Sequence, residues 1–180
     1  MPHNAHSKRG SSLALIVALI CISGCAAFAQ HGSPLPAGSD APEIQTTTLD
    51  GQQVSLARFR GHVLLVDIWA IWCPDCRKTL PAMEQIAEKT TRYGVYVVGI
   101  STDTEKTGKF IPAAIKKFGI RFPISARPEE NAAIAQTYNA NYIPALYLID
   151  KQGKIRWSSF SFKPGDVSKV TAMILQLSKE

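Results

Sequence analysis

Val63-Leu-Leu-Val-Asp-Ile-Trp69-Ala70-Ile71-Trp72-Cys73-Pro74-Asp75-Cys76 is a largely apolar run that gives way, after a short turn, to two cysteines three residues apart. Residues this apolar on both alternating faces belong in a strand covered from both sides. Pro74 suits a first helical position, and Leu80, Met83, Ile86 and Ala87 follow at helical spacing, so a helix is expected from Pro74 to about Arg92. A strand running into a helix through Cys-x-x-Cys places both thiols where unpaired backbone N–H groups favour a negative sulfur. A thiol with pKa near ~8.5 is about 3% thiolate at pH 7, and lowering it to ~7 makes about half reactive. The arrangement is a thiol built to attack disulfides, with a second thiol placed to resolve the product.

Two plainer readings compete. A structural zinc site needs four ligands, and downstream of Cys76 the chain has neither Cys nor His, so no metal is expected. An inert disulfide closing so short a loop constrains the unfolded chain very little. Both are weaker than redox chemistry.

Working outward, Glu43–Leu49, the turn Asp50-Gly51 and Gln53–Leu56 read as an N-terminal hairpin. Past Gly94, Val95–Ser101 reads as a strand and Glu105–Phe118 as a helix closed by Gly119. Ile120–Ser125 is expected as a strand and Glu129–Tyr138 as a helix. Ala145–Asp150 and Lys154–Phe160 read as strands around Gly153, and Asp166–Lys179 as a final helix capped by Asp166. Alternating strands and helices predict an α/β fold with a central sheet covered by helices on both faces.

The N-terminus carries an export signature. Lys8 and Arg9 precede Leu13–Ile20, an apolar core too short to span a bilayer comfortably. Residues 1–29 are expected to be a signal peptide, cut before Cys25 in the lipobox-like Ile22-Ser23-Gly24-Cys25 or after Ala29 in Ala27-Phe28-Ala29. In the first case Cys25 carries the lipid and anchors the protein. Either cut leaves the domain on the periplasmic side of a bacterial envelope, where disulfides persist. Residues 30–40, rich in Gly, Ser and Pro, read as a tether with nothing to pack, and residues 41–180 as the folded domain.

The chain has 180 residues, 46% of them hydrophobic, enough for one core. Its formal charge of +6 falls to +4 once Lys8 and Arg9 leave with the signal. Lys106, Lys109, Lys116, Lys117 and Arg121 are spread along a helical pattern instead of forming one block with aromatics, so a solvated face is expected and nucleic acid binding is not. No internal repeat is visible, and a monomer is expected.

The residues from about Ala41 to Glu180 resemble the thioredoxin fold, and within it the TlpA/ResA-like extracytoplasmic thiol–disulfide oxidoreductases. Leu49-Asp50-Gly51 with Val54-Ser55-Leu56, then Val66-Asp67-Ile68-Trp69-Ala70-x-Trp72-Cys73-x-x-Cys76, carry the likeness. So do Ile143-Pro144-Ala145 before a strand and Ile149-Asp150 with Gly153 in the closing hairpin. The segment between Thr102 and Ser125 resembles the family's central helix-strand insertion.

That resemblance implies a central mixed sheet flanked by helices, and a protein-disulfide oxidoreductase without cofactor. Cys73 matches the exposed attacking cysteine and Cys76 the buried resolving one. Pro144 matches the proline that is cis in this fold and faces the disulfide, with Ile143 offering backbone to an extended substrate. Trp72 is expected to cover the disulfide, and Pro81 to kink its helix. Asp67 matches a buried aspartate thought to take the proton of the resolving cysteine; an exposed strand-edge acid is the alternative. Many relatives carry instead a glutamate just after the second cysteine, where this chain has Arg77, Lys78, Thr79 and Leu80.

Pro74 and Asp75 tune the pair. Asp75, partly offset by Arg77, opposes a thiolate on Cys73, so a reductant is expected. Partners would be protein thiols and disulfides and a membrane redox protein that recycles the pair, with apocytochrome c or oxidase maturation admissible. Thiol peroxidase chemistry would want a hydroxyl residue where Ala70 stands, and copper delivery a distant His, which is absent downstream of the cysteine pair. A non-catalytic anchored interaction module is the remaining alternative, against which Trp72, both cysteines and Pro144 argue.

Overall fold

A computed structural model describes Met1, residues 32–163 and residues 165–180. The expected signal peptide, its two cleavage sites and Cys25 lie outside the described residues, as do residues 30 and 31.

A five-stranded mixed sheet forms the centre, in the order β5-β4-β3-β6-β7. Strand β3 (Val63–Trp69) is its middle strand, paired parallel to β4 (Val95–Ser101) and antiparallel to β6 (Ala145–Ile149). Every residue of β3 is buried, as its two-sided apolar pattern requires. β5 (Ile124–Ser125) continues the parallel half, and β7 (Ile155–Ser159) closes the antiparallel half. The hairpin of β1 (Gln45–Thr47) and β2 (Gln53–Ser55) joins the β5 side through a bridge between Thr48 and Ser125.

Alternation along β3 sorts the core into two layers. Val63, Leu65 and Trp69 pack with Leu80, Met83 and Ile86 of α1 (Pro74–Thr90) and Val170 and Ile174 of α5 (Asp166–Leu177). Leu64, Val66 and Ile68 face the hairpin's Ile44 and Val54, Ile134 of α4 (Pro128–Thr137), and Tyr138 and Tyr147. Burying a Leu or Ile in either layer contributes about 1.5–3 kcal/mol.

Four expectations need correction. The helix expected over Glu105–Phe118 is two, α2 (Glu105–Gly108) and α3 (Ile111–Phe118), because Pro112 belongs in a first turn, where its missing N–H costs nothing. The strand expected from Ile120 begins only at Ile124, because Glu84 of α1 accepts the N–H groups of Arg121 (2.7 Å) and Phe122 (3.3 Å) and draws that segment off the sheet. Asp166 does not cap α5 but is its first residue, its carboxylate accepting the Lys163 N–H at 2.7 Å. The supposed tether is packed from Leu35 onward. Gly38 N–H donates to Ile155 O, Ile155 N–H donates to Ser39 O, and Asp40 pairs with Lys154.

Candidate active site

The C-terminal end of β3 delivers the chain into a tight turn, Ala70 to Cys73, closed by the Cys73 N–H on Ala70 O at 3.2 Å. Cys73 is the N-cap of α1 with extended backbone, and Pro74 follows as first helical residue. Three groups therefore converge on one sulfur. Cys73 Sγ is bonded to Cys76 as a disulfide with Cα atoms 5.2 Å apart. It accepts the Cys76 N–H at 3.1 Å, which is the charge-favouring contact expected of a helix N-terminus. It also lies 3.7 Å from the carbonyl oxygen of Ile143. In the disulfide that sulfur has no proton, so the last is a contact and becomes a donor only on reduction.

The Ile143–Pro144 peptide is cis and opens β6 beside this sulfur, bringing residues seventy positions apart into one site. Cys76 is fully buried, and Cys73 keeps 5% exposure, much less than the open cysteine the sequence suggests. Ile71 and Ile143 pack against the cluster that contains it. Trp72 is 57% exposed. It directly precedes Cys73 in the chain, and Tyr142, which precedes Ile143, is likewise exposed and packs on Phe160 with ring centroids 5.7 Å apart. Tyr142 and Phe160 went unnoticed in the sequence, since an aromatic before a strand signals nothing by itself.

Asp67 is not at an edge. It sits mid-way along the central strand with 0% exposure, opposite Gly99 of β4 and Leu146 of β6. Alternation puts it on the face that holds Trp69, Cys76 and α1. Neither carboxylate oxygen has a hydrogen-bond partner among the described residues, and burial pushes its pKa up to about 7. A Cβ at Gly99 would crowd Ile124, Phe122 and the Trp69 indole nitrogen, whose N–H has no partner among the described residues.

The tuning expected of Asp75 is weakened. Its side chain is 75% exposed and paired with Lys78 at 2.8 Å, so solvent and a cation screen it. Arg77 makes no ion pair with Asp75; its guanidinium donates to Ile71 O at 2.8 Å, inside the redox turn. Pro81 lies within a helix that continues unbroken to Thr90, and the Thr79 hydroxyl donates to Cys76 O at 2.8 Å.

With this geometry in view, the sequence pattern of the AhpC/TSA family matches residues 37–158. The chain is 26% identical over 154 residues to the thiol-disulfide oxidoreductase ResA of Bacillus cereus (strain ATCC 10987 / NRS 248), covering 82% of this chain and 87% of that protein. It is 31% identical over 119 residues to the thioredoxin-like protein YneN of Bacillus subtilis (strain 168), covering 66% and 68%. Among solved structures it is similar to the thioredoxin domain of a thiol-disulfide oxidoreductase from Bacteroides vulgatus. There the TM-score is 0.68 at 28% identity, over 78% of this chain and 99% of that one.

Proposed function

We propose a function from one premise: the chain belongs to the AhpC/TSA family. It is a thiol–disulfide oxidoreductase of thioredoxin type. We infer further that it acts as a reductant of protein disulfides outside the cytoplasm. The observation that carries the reading is the Cys73–Cys76 pair at the start of α1, with Cys73 Sγ against Ile143 O at the cis Pro144.

In the reduced protein the Cys73 thiolate attacks one sulfur of a substrate disulfide. The S–S bond breaks, the leaving sulfur takes a proton, and a mixed disulfide forms on Cys73. Asp67, whose raised pKa lets it exchange a proton near neutrality, accepts the proton of Cys76. The Cys76 thiolate then attacks Cys73 Sγ, the substrate leaves as a dithiol, and two electrons have passed to it. Ile143 offers backbone to an extended substrate segment, and Trp72 covers one flank. Two electrons from a membrane redox protein return the pair to the dithiol. Export by the N-terminal signal, with or without a lipid on Cys25, places this chemistry in the envelope, where cytochrome c or oxidase cysteines are admissible substrates.

The test is a trap. Cys76→Ser, expressed in the native envelope, accumulates mixed disulfides on Cys73 whose partners mass spectrometry identifies, while the wild-type protein reduces insulin. Equilibration with glutathione is expected to give a potential below about −200 mV. No turnover of insulin, or a potential near the ~−120 mV of a strong oxidant, overturns the reductant reading.

A further inference from the structure

The turn that presents Cys73 is held by residues outside the Cys-x-x-Cys segment. Strands β3 and β4 are parallel and in register to their last pair, Trp69 with Ser101, so the residues that follow each strand leave the sheet side by side. Thr102 donates its N–H (2.8 Å) and its hydroxyl (3.2 Å) to Trp69 O. Asp103 is buried, and its Oδ2 accepts the Ile71 N–H at 2.7 Å. The Ser101 hydroxyl donates to the same oxygen at 2.8 Å and accepts the Asp103 N–H at 3.1 Å. Ile71 is therefore gripped at both ends, by this carboxylate on its N–H and by Arg77 on its carbonyl.

We propose that Asp103 is the positioning residue of the redox turn: through the Ile71 N–H it holds Cys73 Sγ against the Cys76 N–H and Ile143 O. Ile71 is the second residue of a turn whose fourth residue is Cys73. Fixing its N–H fixes the direction in which the turn delivers the sulfur. A buried carboxylate is an expensive way to satisfy one backbone N–H and one hydroxyl, and its other oxygen, Oδ1, is buried with no partner among the described residues. Keeping an acid there is explained if it fixes a peptide that must not move while the sulfur bond is made and broken. Misplacement of a reacting atom by about 1 Å costs about a hundredfold in rate, so a loosened turn should be visible in kinetics.

The inference rests on Cys73 being the attacking thiol, and the experiment separates the two. Asp103→Ala frees the Ile71 N–H; Asp103→Asn keeps an acceptor at the Oδ2 position while removing the charge and placing an amide NH2 at the Oδ1 position. Insulin reduction is expected to slow about tenfold or more in Asp103→Ala, chiefly in kcat, with Asp103→Asn within about threefold of wild type. The pH profile of Cys73 alkylation is expected to lie higher in Asp103→Ala than in Asp103→Asn, because only the clamped turn keeps the Cys76 N–H on the thiolate. Should Asp103→Ala fail to fold, Asp103→Ser decides, since its shorter side chain does not reach the Ile71 N–H. A slowing of about tenfold supports the inference, and a wild-type rate overturns it. An Asp103→Ala protein with wild-type rate and alkylation profile, or an Asn variant as slow as Ala, also overturns it. An inactive wild type defeats the reading of Cys73 itself.

Discussion

Asp67 carries a pH signature that can be worked out in sign. The unfolded chain gives up this proton near the ordinary value of 3.8, whereas the folded protein keeps it to about 7. Across that window unfolding releases a proton, so stability falls as pH rises from about 4 to about 7 and then stays flat. About three pH units correspond to a penalty on the order of 4 kcal/mol above neutrality. Asp67→Asn is therefore expected to be more stable than wild type at pH 8, and the gain should largely vanish at pH 4. Urea unfolding at both values measures it, and an equal difference at the two would show that the acid is not held protonated. The same variant should release substrate from the mixed disulfide more slowly. If the variant's rate equals that of the wild type throughout pH 6 to 9, Asp67 does not take the Cys76 proton.

Among the elements, β5 is the one whose length is set from a distance. Glu84 reaches from α1 to the backbone of Arg121 and Phe122 and also pairs with the Arg121 side chain at 3.0 Å. Glu84→Ala leaves two N–H groups without their charged acceptor, a loss of about 1.5–3 kcal/mol. Denaturant midpoints should fall accordingly, and amide exchange should quicken at Arg121 and Phe122; unchanged exchange at these two would refute it. Nothing local announces this, since Ile120–Ser125 has strand-like composition and the competing acceptor lies 37 positions earlier. By contrast β3, β4 and the start of α1 were legible to the residue. Their signals are dense and local: an unbroken apolar run, a glycine stop, a cysteine followed by proline. The cysteine pair was legible for the same reason, whereas Ile143-Pro144 was legible only through the family resemblance, since by itself it reads as a strand-entry proline. Asp103 was not, because its task follows from two parallel strands ending level, which no single stretch of sequence records. The Pro112 break was legible in principle, but the apolar spacing around it argued for one helix.

At the scale of the whole molecule, attachment to the envelope turns on Cys25. If it is lipidated, the mature protein partitions with membranes, each buried methylene contributing ~0.8 kcal/mol. Cys25→Ala then moves the protein to the soluble fraction or blocks its processing. A mature N-terminus at Gln30, found by sequencing, ends the idea. The same end of the chain has a second effect, through the residues between Leu35 and Ala41. By exchanging backbone hydrogen bonds with Ile155 and pairing Asp40 with Lys154, they lie along the outer side of β7. An uncovered strand there would be a template for edge-to-edge aggregation. On the function proposed above, the protein meets polypeptide segments that carry disulfides and offer backbone groups for pairing. A domain that closes its own flank can handle such clients through Cys73 and Ile143 without becoming the seed on which they accumulate.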